Sequence, residues 1–91
     1  MKRIAWTESA QRDLAALDSE DTQFTDRVGR AALSAARFLS DHPRAGPVLR
    51  SGTRKWTLRG TDFVLIYRPV GDGVQIIRLL SAYSDWRAAF D

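Results

Sequence analysis

The apolar positions of this chain change period near Pro43, from the spacing of helices to the alternation of strands. Before that point, residues 2–6 read as a short strand with Ile4 and Trp6 on one face. Thr7 suits a helix N-cap, because its hydroxyl can accept a first-turn backbone N–H, and Glu8 stands where the helix dipole favours negative charge. Ala10, Leu14 and Leu17 recur at i, i+4, i+7 and predict one apolar stripe. The polar run Asp18-Ser19-Glu20-Asp21 breaks the pattern and predicts a tight connection. A second helix is expected over residues 22 to 41, with Phe24, Val28, Ala31, Ala35 and Phe38 as its stripe, widened by Ala32 and Leu39. All of these are assigned to the core. Gly29 lies inside that helix, where glycine costs about 1 kcal/mol relative to alanine, and is read as a close approach between helices. His42-Pro43 ends the helix, because proline lacks an N–H and restricts the residue before it. The short connection implies an antiparallel helix pair.

After Pro43 three runs rich in β-branched and aromatic residues cover about 54–59, 62–70 and 74–81. Arg59-Gly60-Thr61 and Gly71-Asp72-Gly73 separate them and are hairpin-sized, which predicts an antiparallel meander. If Val70 faces Val74 across a three-residue loop, then Phe63, Leu65, Tyr67, Ile77 and Leu79 share one apolar face for the helices to cover. Val64, Ile66, Arg68, Ile76, Arg78 and Leu80 then share the other, with Arg68 and Arg78 in a strip open to a partner. The closing segment, from Ala82 to Asp91, is a short terminal helix or a tail. The expected fold is a single α+β domain over residues 1–91: an N-terminal strand, an antiparallel helical hairpin and a small antiparallel sheet, in the order β-α-α-β-β-β.

Composition narrows the chemistry. The chain has 91 residues and no cysteine, which excludes disulfides, thiolate zinc sites, iron–sulfur clusters and Cys nucleophiles. One histidine, His42, excludes a two-His metal site, so no metal or cofactor is expected. No stretch approaches the ~20 apolar residues of a membrane helix, and the start lacks the apolar region of a signal peptide. The expectation is a cytoplasmic protein with no membrane contact.

The charge is uneven. Basic and acidic side chains balance over residues 1–45, so the net +3 lies wholly in residues 46–91. That half holds the candidate set Arg50, Arg54, Lys55, Trp56, Arg59, Arg68, Arg78, Tyr83, Trp86 and Arg87. Arginine forks match phosphates and carboxylates alike. A metal-free ribonuclease would use such groups as phosphate clamps and a proton donor. A binding protein would use the same arginines without acid or base. Composition does not separate the two.

The order of certain pieces does carry more. They are Ile4-Ala5-Trp6-Thr7-Glu8-Ser9-Ala10-Gln11-Arg12-Asp13-Leu14, then Phe38-Leu39-Ser40-Asp41-His42-Pro43-Arg44-Ala45-Gly46-Pro47, then Gly52-Thr53-Arg54-Lys55-Trp56. Phe63-Val64-Leu65-Ile66-Tyr67-Arg68 and Val74-Gln75-Ile76-Ile77-Arg78-Leu79-Leu80 follow, leading to Asp85-Trp86. In that order and spacing the chain resembles the RelE/ParE superfamily of type II toxin–antitoxin toxins along almost its full length. The resemblance implies a bacterial growth-inhibiting toxin neutralised by a cognate antitoxin, with which it forms a heterotetramer or larger complex. RelE-like members cleave messenger RNA in the ribosome, whereas ParE-like members inhibit DNA gyrase and are not nucleases.

Individual positions bear on that choice. RelE-like nucleases carry a strand arginine three residues before the Tyr67 position, where this chain has Val64. They carry basic residues just after the last strand, where this chain has Tyr83 and Ser84. Many members of the family at large also have a histidine near the position of Ser81. Their terminal-helix tyrosine corresponds to Phe90, which cannot exchange a proton. The ParE-like reading is therefore favoured. In it, Arg50, Arg54, Lys55, Arg59, Arg68, Arg78 and Arg87 meet the target or an anion, and Tyr83, Trp86 and Phe90 meet a protein partner. In the nuclease alternative Arg54, Lys55, Arg59 and Arg78 would hold the phosphate and Tyr83 would donate the proton. A degenerate toxin that keeps only antitoxin binding is the third reading.

Overall fold

The computed structural model describes residues 2–17 and 21–90. Strand β1 (Ile4–Trp6) leads into helix α1 (Glu8–Ala15) and helix α2 (Thr22–Asp41). Strands β2 (Arg54–Thr57), β3 (Phe63–Val70) and β4 (Gly73–Ser81) follow, and helix α3 (Trp86–Phe90) closes the described chain. Thr7 caps α1 as expected. Its Oγ1 accepts the Ala10 N–H at 3.1 Å and donates to the Ile77 carbonyl at 2.7 Å, so one hydroxyl starts the helix and ties it to β4. The connection expected at residues 18–21 lies outside the described residues except for Asp21, which caps α2 by accepting the Phe24 N–H at 3.1 Å. Thr25 Oγ1 reaches the Leu17 carbonyl at 2.6 Å and joins the start of α2 to the end of α1.

The sheet order is β1-β4-β3-β2. β2, β3 and β4 form the expected antiparallel meander. β1 adds to it parallel to β4, with Ile4 opposite Val74 and Trp6 opposite Ile76, so the four-stranded sheet is mixed. A parallel neighbour needs a long crossover, and the helices and the meander supply it.

The last hairpin corrects the expected register in one half. Val70 pairs with Gly73, so the loop is Gly71-Asp72 alone. Gly71 has φ +51°, as the first position of a two-residue II′ turn requires. Farther from the turn the expected pairing holds, with Ile66 opposite Arg78 and Phe63 opposite Ser81. The one-residue mismatch is absorbed by a bulge, with Tyr67 opposite Ile76 and Ile77 as the extra residue. Ile76, expected on the outer face, is fully buried beside Tyr67, Leu65, Val74 and Leu79 under the helices. Ile77 instead packs on the other face of the sheet.

Two cores result. The larger joins Ala10 and Leu17 with Val28, Ala32, Ala35 and Leu39 over the helix-facing side of β3 and β4. The smaller, on the opposite side, joins Leu49, Val64, Ile66 and Trp86. Two helix assignments change. Phe38, expected in the core, is 43% exposed, because the buried arc of α2 centres on Val28, Ala32, Ala35 and Leu39 and leaves Phe38 on its flank. Gly29 is not a close approach, since a methyl group there would meet nothing within 4 Å.

The loop between α2 and β2 is fastened from below. The Tyr67 hydroxyl accepts the Gly46 N–H at 2.9 Å and donates to the Pro43 carbonyl at 2.9 Å. A side chain at Gly46 would collide with the Lys55 carbonyl and the Tyr67 ring, so glycine is needed there for close approach rather than for its backbone angles.

Candidate functional site

Residues Ala31, Ser34, Ala35 and Phe38 follow one another at i, i+3, i+4 and i+7 on the flank of α2 that faces β2. Trp56 and Leu58, two apart, face back from β2 and its exit. Between them runs a cleft of about 820 Å³, lined also by Thr57 and Arg59. Small side chains of α2 line one side of it, and the Phe38 and Trp56 rings stack at its wall, with centroids 5.3 Å apart and planes 26° apart. His42 packs on Phe38 at a tilt of 38°, with ring centroids 4.6 Å apart. A second hollow of about 480 Å³ lies beyond it, between Phe38, His42, Pro43, Arg44 and Ala45. β2 is also an edge strand. Its outer side carries the 47–49 segment as far as Lys55, through Lys55 N–H to the Pro47 carbonyl and a bridge between Val48 and Arg54.

The basic set does not converge. Arg54 and Lys55 point to opposite faces of β2, paired with Tyr67 and Ile66 respectively. Arg54 donates to the carbonyls of Arg44 (3.1 Å) and Gly46 (2.7 Å), so its guanidinium holds the loop. Arg78 is bound by Asp13 of α1 through Nε (2.7 Å) and Nη2 (3.0 Å), which raises its pKa still further above the usual guanidinium value. Arg68 meets Gln75 at 2.8 Å. Lys55 Nζ and Arg87 Cζ lie 5.4 and 4.6 Å from the Trp86 ring centroid. Arg59 is exposed at the mouth of the cleft, and Arg50 is exposed in the turn before β2. Trp86 is buried on Val64 and Ile66, Phe90 is half-buried beside it, and Tyr83 stands in solvent. Among the described residues no group of His, Asp and Glu is arranged to hold a metal ion, and no helix is long and apolar enough to cross a membrane.

With this geometry in hand, comparison with known proteins decides the family. Residues 4–86 match the family described as the ParE toxin of the type II toxin–antitoxin system parDE. The chain belongs to the ParE toxin family. Among solved structures it is similar to a chain of the chromosomal ParDE toxin–antitoxin system from P. aeruginosa, with a TM-score of 0.71 and 22% identity. The match covers 89% of this chain and 96% of that one, and at this identity it shows the shared fold. No curated protein sequence matches significantly.

For this ParE-family chain the resemblance to the RelE/ParE superfamily is therefore established, and the protein is a type II toxin by family. Sequence reading missed two features of the site. The cleft was hidden because Ala31, Ala35 and Phe38 read as ordinary core. The available signal was the width of the stripe, since seven apolar positions on α2 exceed what one arc can bury against the sheet. Asp13 gave no signal at all, because its partner stands 65 residues away.

Proposed function

We propose that this toxin arrests growth by binding DNA gyrase, without cleaving RNA, and that a cognate antitoxin neutralises it in the cytoplasm. The Asp13–Arg78 pair carries the first part of the reading. A ribonuclease of this fold needs several cations free to meet one phosphate and an acid for the leaving oxygen. Here Arg78 is already matched by a carboxylate and Arg54 by two carbonyls. Val64 and Phe90 replace the arginine and tyrosine that the nuclease pattern calls for.

The cleft supports the second part. It offers an apolar wall of Phe38 and Trp56, small residues of α2 and Arg59 at its mouth, with Arg44 in the hollow beyond it. An amphipathic segment with apolar anchors and acidic flanks fits that pattern and would fold as it binds. Purified toxin titrated into a gyrase supercoiling reaction tests the proposal. Supercoiling is expected to fall and to recover when the antitoxin is added first. Full supercoiling at saturating toxin, or cutting of messenger RNA in a translating ribosome reaction, would overturn it.

A further inference from the structure

We infer that Tyr83 is the anchor this toxin inserts into its protein target, on a surface separate from the antitoxin cleft; the inference rests on the target-binding reading above. Tyr83 is 83% exposed, far more than Phe38, and its ring and hydroxyl have no partner among the described residues. The turn that carries it is nevertheless well fastened. Ala82 N–H bonds the Asp62 carbonyl at 2.7 Å, and Tyr83 N–H bonds Ser81 Oγ at 3.2 Å. Ser84 bonds the Ser81 carbonyl through both its N–H (3.0 Å) and its Oγ (2.7 Å). Downstream, buried Trp86 pins the chain to the sheet. The backbone therefore holds a large aromatic ring in water, where it contributes nothing to the fold.

A fixed aromatic with two side-chain torsions loses little entropy when it enters a pocket, which is why such residues dominate interface energetics. Three residues on, Lys55 and Arg87 lie on the Trp86 ring, and neither has an acidic partner among the described residues. The complementary surface is a protein pocket with apolar walls, a hydrogen-bond partner for the phenol and carboxylates at its rim. Lys55 stands on β2 but points with Trp86 to the face of the sheet away from the helices, whereas its neighbour Trp56 turns to the cleft on the helix side. Tyr83 follows β4, with β3 between it and the cleft strand. The two surfaces are therefore separate, and target binding and antitoxin binding should be separable by mutation.

The test expresses wild type, Tyr83→Ala and Tyr83→Phe, each with and without the protein encoded by the adjacent reading frame. Growth arrest, affinity for that purified protein and Tm are measured for each. Tyr83→Ala is expected to keep Tm and affinity while needing roughly tenfold more toxin for arrest, the usual loss for an interface anchor. Tyr83→Phe is expected to stay close to wild type, because the ring does most of the binding. Full toxicity in Tyr83→Ala, or an equal loss of affinity for the partner protein, would overturn the inference alone. If Tyr83→Phe is as inactive as Tyr83→Ala and wild type cuts RNA, the phenol is a proton donor and the anchor role fails. A wild-type chain that arrests nothing would overturn the target-binding reading together with the anchor.

Discussion

Asp13 on α1 grips Arg78 on β4 across 65 residues of sequence. Its Oδ2 accepts from Arg78 Nε at 2.7 Å and from the Leu79 N–H at 2.9 Å, and its Oδ1 accepts from Arg78 Nη2 at 3.0 Å. The pair sits where β4 runs on past the short β1, whose register ends at Ile76. One carboxylate thereby satisfies a backbone N–H at the sheet edge, docks α1 on β4 and matches the charge of Arg78. Such two-point arginine–carboxylate pairs are the stronger kind of ion pair.

Asp13→Ala should therefore destabilise the protein without making it a nuclease. It leaves the Leu79 N–H and a half-buried guanidinium without their partner, at a cost of about 1–3 kcal/mol. For a domain of this size that corresponds to a Tm lower by roughly 4–8 °C per kcal/mol. Thermal unfolding measures it, and a Tm unchanged from wild type would show that the pair is passive. Freed Arg78 should give no RNA cleavage, because Val64 and Phe90 still stand where the nuclease groups would be.

Tyr67→Phe tests the fastening of the loop above the sheet. It removes the bonds to Gly46 and Pro43 and should cost about 1–3 kcal/mol at neutral pH. Burial holds the Tyr67 pKa above 10.0, against smaller opposing effects from the Gly46 N–H and Arg54. In the window above about pH 10 the unfolded chain therefore loses this proton before the folded chain does. Stability contributed by Tyr67 is full below that window and falls as pH rises through it. The Tm gap between wild type and Tyr67→Phe should be constant from pH 7 to 9 and narrow above pH 10. A gap that widens there would reverse the assignment.

Much of this architecture was legible because each signal was local. Thr7 announced α1 by its own side chain, and the strand runs ended at glycine turns within a few residues of the observed bounds. The bulge at Ile77 was not legible, because two adjacent isoleucines leave either one free to face the core. Only the tight Gly71-Asp72 turn, competing with the pairing of Phe63 through Ile66, decides between them. The site was less legible than the fold. Arg54, Arg78 and Trp86 read as free functional groups, and their structural partners are carbonyls of the preceding loop, a carboxylate 65 residues away and the far face of the sheet. The order of family-like segments supplied what spacing could not, by pointing to the family that residues 4–86 match.

Trp86 should prove a structural residue of the second core. Trp86→Ala removes the cover from Leu49, Val64 and Ile66 and is expected to cost about 3–5 kcal/mol. Its Nε1 is buried without a hydrogen-bond partner, so the indole N–H is itself a liability. Trp86→Phe deletes that group while keeping a ring under Lys55 and Arg87, and should recover most of the lost stability. Denaturant unfolding of the two variants gives the comparison. Equal destabilisation by Ala and Phe would mean that the indole makes a contact its burial does not reveal.

Phe38→Glu should separate toxin folding from antitoxin control. Phe38 is 43% exposed and lies outside the buried arc of α2, so a charge there remains hydrated. The cost to folding is confined to the lost ring contacts with Trp56 and His42, about 0.5–1.5 kcal/mol, which leaves the domain folded with a moderately lower Tm. In a complex with an antitoxin segment seated on the Phe38–Trp56 wall, the same carboxylate would be desolvated against an apolar anchor and repel its acidic flanks. Affinity is expected to fall by roughly tenfold or more, as for loss of an interface anchor. Calorimetric titration of the purified pair measures it directly. In cells, the variant should still arrest growth, and co-expressed antitoxin should fail to relieve the arrest. Unchanged affinity would place the antitoxin elsewhere on the toxin, whereas a loss of both toxicity and affinity would mean that target and antitoxin share this wall.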